Sequence, residues 1–529
     1  MAILMSALLF GSGCATGPLE WVQNGFKVGP NYCPPPAPIA DTWIETADSK
    51  LQNRHLQDWW QVFQDTKLNG LIQTAFARNL TLQTMGARVL EARAQRAIAV
   101  GELFPQTQQA TGQYSRVGLS ETTFNNPAAF SALSPTPLPP NALIGNFYSD
   151  WTAGFNMSWE LDFWGRFRRN VESANARLDA SMENFDDALV TLLADVATNY
   201  VQFRITQQRI RIARDNVRIQ EGVLGLADQR FRVGTATELD VKQAKTVMEG
   251  TRATIPALQI MLGQANDQLC ILLGFPPRNL EPELGPGPEL GSDPMPNTPT
   301  WVAVGIPADL LRRRPDVRSA ERQVAAQSAQ IGVAEADLYP AVAINGTLGY
   351  ESADLSQLFQ SASFMGNITP AFRWNILNYG RIMNNVRLQQ AHTQELIATY
   401  QNQVLRAARE AQTAMRGFVR SQEQATDLGR SVEAALGATR IGVKQYQTGT
   451  IAFNTVFQLE TTQVQQQDQL ASAQGNAAIN LIDTYRALGG GWEIRCPRGN
   501  NGAGQPDQPP PPEQVPAPSG TQPPQSPRS

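Results

Sequence analysis

Apolar and polar residues alternate almost without error between Trp151 and Phe163. Trp151, Ala153, Phe155, Met157, Trp159, Leu161 and Phe163 fall on one face; Thr152, Gly154, Asn156, Ser158, Glu160 and Asp162 fall on the other. A period of two marks a strand with two different faces. The alternation returns at Ile368, Phe372, Trp374 and Ile376, opposed to Asn367, Thr369, Arg373 and Asn375, and again after Pro340, where Val342, Ile344, Leu348 and Tyr350 share a face. The counterpart after Pro105 is more polar. Downstream of Gly165 the period changes to seven, through Met182, Leu189, Val196, Phe203, Ile210, Val217, Leu224 and Phe231. A second series runs through Ile397, Val404, Ala411, Phe418, Ala425, Val432, Thr439 and Tyr446. Heptads sustained over this length predict coiled-coil helices. Arg166 to Arg230 alone would span roughly 100 Å at 1.5 Å per residue, several times the diameter of an ordinary domain.

The two series belong to two copies of one unit. Trp159-Glu-Leu-Asp-Phe-Trp-Gly165-Arg166 recurs as Trp374-Asn-Ile-Leu-Asn-Tyr-Gly380-Arg381, Phe231-Arg-Val-Gly234-Thr235 as Tyr446-Gln-Thr-Gly449-Thr450, and Leu273-Gly274 as Leu488-Gly489, all displaced by 215 positions. Phe104-Pro105 matches Tyr339-Pro340 at 235, so about 20 extra residues sit in the first copy, in the Pro-rich stretch from Asn126 to Asn141. Each copy reads as one helix, a strand pair, then two helices. The first helices are expected from Thr66 to Leu103 and from Pro307 to Leu338. The long helices turn at Gly234 and Gly449, where glycine can take the left-handed conformation that ends a helix. The chain then returns from Thr237 to Leu273 and from Ala452 to Leu488. One short helix of each kind, stacked end to end, matches the long helix. The division expected is 1–13 signal peptide, 14–65 N-terminal lipid-anchored segment, 66–274 first repeat, 275–300 Pro/Gly-rich linker, 301–490 second repeat and 497–529 disordered Pro/Gln-rich tail.

Strands of about 10 to 13 residues are long enough to cross a bilayer when tilted, and Trp159, Trp164, Trp374 and Tyr379 gather at one end, where an aromatic girdle belongs. On this reading Trp151, Phe155, Trp159, Phe372 and Trp374 face lipid, while Asn156 and Arg373 face a lumen. Four strands cannot close a barrel, and open edges in lipid would leave backbone groups unpaired at several kcal/mol each. Closure takes at least eight strands, so several chains must share one wall.

Composition narrows the function. Charged residues are 17% of the chain and the net charge is −4, with no basic stripe, so nothing marks a nucleic-acid surface. After the first 13 residues there is no apolar run long enough for a helical span. Those residues form an apolar stretch ending in Gly11-Ser-Gly-Cys14, as in a secretory signal. Cys33, Cys270 and Cys496 lack any CxxC partner and His55 and His392 lie far apart, which argues against a metal site, a cofactor or an enzyme nucleophile. Cys270 suits a buried inert thiol, and Cys33 and Cys496 flank the folded region, able to pair in an oxidising compartment.

The motifs Val28-Gly-Pro-Asn-Tyr32, Trp59-Trp60-Gln-Val-Phe63 with Asp65 and Leu68, and Val304-Gly-Ile-Pro-Ala-Asp-Leu-Leu-Arg-Arg-Arg-Pro315-Asp316-Val317, continuing to Ile331-Gly332 and Leu338-Tyr339-Pro340, resemble those of outer-membrane efflux proteins of the TolC type, most of all the NodT-type lipoprotein branch. The start resembles a bacterial lipoprotein signal, with Cys14 as the first mature, lipid-bearing residue. The resemblance implies a mixed α and β membrane protein, a homotrimer with four strands per chain in a shared 12-stranded outer-membrane barrel and a periplasmic coiled-coil barrel. It implies passage of small molecules (drugs, toxic compounds or metal ions) without chemistry or cofactor, driven by an inner-membrane pump of the RND type through a periplasmic adaptor. The tip positions carried over are Phe231, Gly234, Thr235, Asp240, Tyr446, Gly449 and Thr450; three copies of Asp240 would form an acidic ring. Where better-known members hold the tip closed with an Arg and acidic residues, this chain has Ile451, Thr455 and Gln458. Protein export through a similar duct, and a secreted structural coiled coil, are the competing expectations.

Overall fold

The computed structural model describes residues 17–44, 51–52, 56–118, 147–285, 299, 302–303, 308 and 312–496. Elements in chain order are α1 (Pro18–Gln23), β1 (Leu51–Gln52), α2 (Thr66–Arg78), α3 (Leu80–Gly101), β2 (Thr107–Gly118), β3 (Phe147–Leu161), α4 (Arg166–Arg232), α5 (Glu238–Leu272), α6 (Glu281–Leu284), β4 (Val302–Ala303), α7 (Pro315–Ala336), β5 (Ala341–Ser352), β6 (Phe364–Arg373), α8 (Arg381–Thr448) and α9 (Phe453–Ala487). Cys14, the signal-like start, the Pro-rich insertion and the tail lie outside the described residues.

The heptad positions explain the two long helices. Leu189, Val196, Phe203, Ile210 and Val217 of α4, and Val404, Ala411, Phe418, Val432, Thr439 and Tyr446 of α8, are buried. Both helices end in the same device. Gly234 and Gly449 take φ of 79° and 80°, the Thr235 N–H donates to Arg230 O and the Thr450 N–H to Gln445 O, each at 2.9 Å, so a left-handed glycine satisfies the last carbonyls. At 67 and 68 residues, each helix spans about 100 Å.

Two expectations for the short helices are corrected. The predicted helix from Thr66 to Leu103 is broken at Asn79, whose side chain accepts from the Leu82 N–H at 2.9 Å and donates to Leu272 O at 2.9 Å. One residue thus caps the start of α3 and the end of α5. The second copy's first helix, expected from Pro307 to Leu338, is interrupted at Arg314: Arg312 and Arg313 are helical, and α7 starts anew at Pro315 and ends at Ala336. Pro307 lies outside the described residues. Pro at the first helical position gives up no hydrogen bond. Just before it, Arg314 donates from Nη1 to Ala487 O at 2.9 Å, pins Asp316 through Nε and Nη2 at 3.0 and 2.6 Å, and reaches Glu410 at 2.9 Å. Burial pushes the Asp316 carboxyl up, but the Arg314 hydrogen bonds and charge outweigh it and hold it below the usual range. α3 therefore continues α5, and α7 continues α9, each splice sealed by a side chain.

N-terminal residues cover these splices and bind the repeats together. Trp59, Trp60 and Phe63 are buried, Trp59 stacks on Tyr485 at 5.4 Å, and Tyr200 donates to Asp65 at 2.6 Å. Nearer the sheet, buried Arg169 donates to Val28 O and Gly29 O at 3.0 and 2.7 Å, and Tyr32 donates to Glu321 at 3.0 Å. Cys33, Cys270 and Cys496 are free thiols, Cys270 being buried.

Candidate functional site

The four long strands form one antiparallel sheet in the order β2-β3-β5-β6. The two copies pair in the same way: Thr107 lies opposite Ser158, and Ala341 opposite Arg373. Holding that register requires an extra residue after Pro105, and Gln106 is that residue. Its amide accepts from the Glu160 N–H at 2.7 Å and donates to Glu160 O at 3.2 Å, so the side chain does what a strand backbone would do. Without this, a one-residue slip would have turned every side chain of β2 to the wrong face.

Register then separates the faces. Phe155 lies opposite Leu348 and Ala110, Trp151 opposite Tyr114, and Phe372 opposite Val342. Residues directly opposite one another share a face, so these form an apolar surface on which Phe155 is 68% and Phe372 76% exposed. The other face carries Asn156 bonded to Thr111 at 3.1 Å, Ser158 to Asn345 at 2.8 Å and Thr369 to Asn367 at 2.7 Å.

Trp374 does not extend the strand as its alternation predicted. β6 ends at Arg373, and the Trp374 indole donates to Leu338 O at 2.9 Å. Trp159, its counterpart, donates to Leu103 O at 3.2 Å from within β3. Both indoles therefore tie the end of the second strand of a pair to the residue ahead of the first. Trp164 and Tyr379 differ: Trp164 stacks on Tyr339 at 4.5 Å and meets Trp21 of α1, whereas Tyr379 is 99% exposed.

At the opposite end all four long helices meet in one apolar cluster of Val223, Ala227, Ala244, Tyr446, Phe453 and Val456. Tyr446 is buried, meets Phe453 edge-on at 5.3 Å, and lies under the Arg230 guanidinium at 4.6 Å. Arg230 also donates to the Tyr446 carbonyl, a link between the repeats that sequence reasoning missed. Phe231, the counterpart of Tyr446, is 43% exposed instead. Asp240 closes a capping box with Thr237, accepting from its N–H at 2.9 Å while its own N–H donates to the Thr237 hydroxyl at 3.3 Å. In the second copy Ala452 replaces Thr237 and offers no cap.

Two polar features lie between tip and sheet. A groove of about 620 Å³ beside the Arg314 splice is lined by Asp187, Asp316, Glu410, Asp483 and Arg486, and burial, with the Asp316 charge, pushes Asp187 up to about 6. Nearer the tip, buried Asn216 bonds Gln463 at 3.2 Å and Gln467 at 2.8 Å across the α4–α9 contact. One turn further on lie Gln220 and Glu460, both buried. Neither amide atom of Gln220, nor Glu460 Oε1, has a hydrogen-bond partner among the described residues, and burial pushes Glu460 up to about 7.

No helix among the described residues is long and apolar enough to cross a membrane. The profile of outer membrane efflux proteins matches residues 71–275 and 306–490, the two repeats. The chain belongs to the outer membrane efflux protein family. It is 29% identical over 460 residues to the pyoverdine export outer membrane protein OpmQ of Pseudomonas putida, covering 86% of this chain and 92% of that one. It is 27% identical over 489 residues to nodulation protein T of Rhizobium leguminosarum bv. viciae, covering 92% and 95%. Among solved structures, the outer-membrane channel OprN matches with a TM-score of 0.78 and 30% identity, over 88% of this chain and 99% of that one. The arrangement of sheet and helices is therefore shared with that channel.

Proposed function

We propose that this chain forms the outer-membrane exit duct of a tripartite efflux system, passing small molecules outward with no chemistry of its own. The observation that carries this reading is one sheet with an apolar and a polar face, continued through Gly165 and Gly380 into helices of 67 and 68 residues. The sheet is a wall between lipid and water, and the helices extend that wall by about 100 Å. Among the described residues β2 and β6 are the unpaired edges of the sheet, which lipid does not tolerate; three copies close twelve strands into one barrel. Trp151, Phe155, Trp159 and Phe372 then face lipid, Asn156 and Arg373 face the lumen, and Cys14 carries a lipid anchor. The tips around Phe231, Gly234, Thr235, Asp240, Tyr446, Gly449 and Thr450 meet a periplasmic adaptor, and an inner-membrane pump of the RND type supplies energy.

The names of relatives, pyoverdine export and toluene efflux among them, cover unlike small molecules. Substrate choice therefore rests with the pump. The test is to express the chain with its pump and adaptor in a host lacking its own exit channel. Restored efflux, and stepwise conductance of the purified protein in planar bilayers, are expected. Protein that stays soluble without detergent and gives no conductance would overturn the reading.

A further inference from the structure

The chain builds a clamp around its first helix, and the clamp holds apolar side chains outward. α1 has six residues, too few for a helix to persist on its own, yet it is closed at its end and fastened to the sheet. The Phe26 N–H donates to Trp21 O at 2.8 Å and the Gly25 N–H to Val22 O at 3.1 Å, the two bonds of a helix end finished by a left-handed residue. Gly25 and Phe26 take φ of 69° and 62°, the second uncommon for a residue with a side chain. Trp21 and Phe26 meet edge-on at 4.8 Å, the apolar contact that accompanies this ending. Arg168 of α4 keeps Phe26 in that conformation. Its guanidinium donates to Gly25 O and Phe26 O, each at 2.8 Å, and is itself held by the Asp162 carboxylate at 2.8 Å.

The clamp sits where the sheet passes into α4. Trp21 packs on Phe163 at 5.2 Å and on Trp164 at 5.4 Å, the Val28 N–H donates to Trp164 O at 3.0 Å, and Lys27 pairs with Glu172. Gly165 permits this approach, since a side chain there would begin 2.8 Å from Lys27 Cα. Trp21 thus supplies the inward side of α1. The outward side is apolar as well: Leu19 is 73% exposed, and Val22, Phe26 and Phe163 are each 51% exposed. Leu19 and Val22, three residues apart, share a helix face, and Glu20 is exposed on the flank.

A ridge held this firmly and this apolar is a contact surface, and its position selects lipid as what it meets. Phe163 follows Trp151, Phe155, Trp159 and Leu161 in the alternation, so the ridge continues the apolar face of the sheet. It stands at the end of the strands where the Trp159 and Trp164 indoles donate to Leu103 O and Pro340 O, the aromatic level at which a bilayer gives way to water. It also lies beside the ends of β3 and β5, the two inner strands of the sheet, away from its edges. Charged groups, Lys27, Arg168 and Glu172, gather on the helix side of the ridge. An apolar side above a charged one is the pattern of a segment lying in a membrane surface.

We propose that α1 is an interfacial seat: Leu19, Val22, Phe26 and Phe163 enter the headgroup–acyl boundary of the periplasmic leaflet of the outer membrane, and the Asp162–Arg168 clamp fixes the depth at which the chain sits. The inference rests on the lipid-facing reading of the sheet given above. It adds an attachment made by side chains, separate from any lipid on Cys14.

The test uses full-length protein reconstituted in vesicles of phosphatidylethanolamine and phosphatidylglycerol. Leu19→Cys, Glu20→Cys, Val22→Cys and Phe155→Cys, each in protein with Cys33, Cys270 and Cys496 replaced by Ala, carry a nitroxide label, and protein retaining only Cys14 is the blank. Electron paramagnetic resonance reads collision of the label with oxygen, which concentrates in lipid, and with a water-soluble nickel chelate. The labels at Leu19 and Val22 are expected to follow the one at Phe155, with an oxygen-to-nickel ratio severalfold above that at Glu20. Adding Arg168→Gln should lower the ratio at Leu19 towards the Glu20 value and leave Phe155 as it was; no change there overturns the role given to the clamp. Nickel collision at Leu19 and Val22 as frequent as at Glu20, with Phe155 still in lipid, overturns the seat. So does shielding of both positions from both reagents, which would mean that protein covers the ridge. A Phe155 label open to nickel would instead overturn the lipid-facing reading of the sheet.

Discussion

Glu460→Gln should remove one pH-dependent contribution to the stability of α9 near its start. Glu460 on α9 is 3% exposed, Oε1 has no hydrogen-bond partner among the described residues, and burial alone raises its carboxyl from 4.5 to about 7. A tenfold change in proton affinity corresponds to about 1.4 kcal/mol, so burying this carboxylate charged costs on the order of 3 kcal/mol per chain. The sign follows from which state holds the proton. Below about pH 4.5 both the native and unfolded forms are protonated and native stability is complete. Between there and about pH 7 the unfolded form has lost its proton while the native form keeps it, so stability falls. Above that the native state holds a buried charge at the full penalty. Glutamine has the same shape and stays neutral, so it carries no such penalty. Amide hydrogen exchange across residues 453–467 of the detergent-solubilised protein reads the opening free energy of this segment. At pH 8 the variant should be protected up to about a hundredfold more than the parent, and at pH 4.5 about equally. A variant-to-parent ratio that does not change over this range would refute the argument, as would greater protection of the parent at pH 8.

Arg314→Ala strips a buried partner from Asp316 and from the Ala487 carbonyl, and is expected to cost about 3–5 kcal/mol. Thermal unfolding should show this, and Arg314→Lys should rescue little, because one ammonium cannot reproduce the two-pronged contact. Phe155→Arg places a charge on the apolar face and should hinder membrane insertion by about 2–4 kcal/mol at mid-bilayer; Asn156→Ser should insert normally, and equal membrane yields would contradict the assignment of faces. Asp240→Asn retains an acceptor for the Thr237 N–H, so α5 stays capped, while in the proposed trimer three charges would leave the proposed aperture. Cation preference in single-channel recordings should therefore drop with little change in thermal stability.

Much of the fold was legible because it is periodic. The heptads in α4 and α8 and the alternation in β3 report directly on which positions are covered. What escaped was contact between distant residues. Nothing around Asn79 interrupts the local pattern; the helix breaks there because the amide also serves Leu272, at the end of another helix. Gln106 is unreadable for a related reason, since only the register of Thr107 with Ser158 shows that one residue must be accommodated. The tip glycines were plain, as their backbone conformation is a local matter. The unlike fates of Phe231 and Tyr446 were not, because equivalent positions in two copies meet different neighbours. Arg230 carries no local signal either, because its tyrosine partner comes from the other repeat.

The splices at Asn79 and Arg314 have a mechanical consequence. Along the helical layer, α4 and α8 are continuous rods, and pulling on either loads a covalent backbone. The strands of material beside them are jointed. At each joint axial tension is carried by hydrogen bonds from a single side chain and by the packing around it, Asn79 to Leu272 in one case and Arg314 to Ala487 in the other. A structure of alternating rods and joints resists stretching along the rods yet yields more readily in torsion at the height of the joints. Any twist applied at the tips is therefore expected to concentrate there, leaving the sheet at the far end undisturbed.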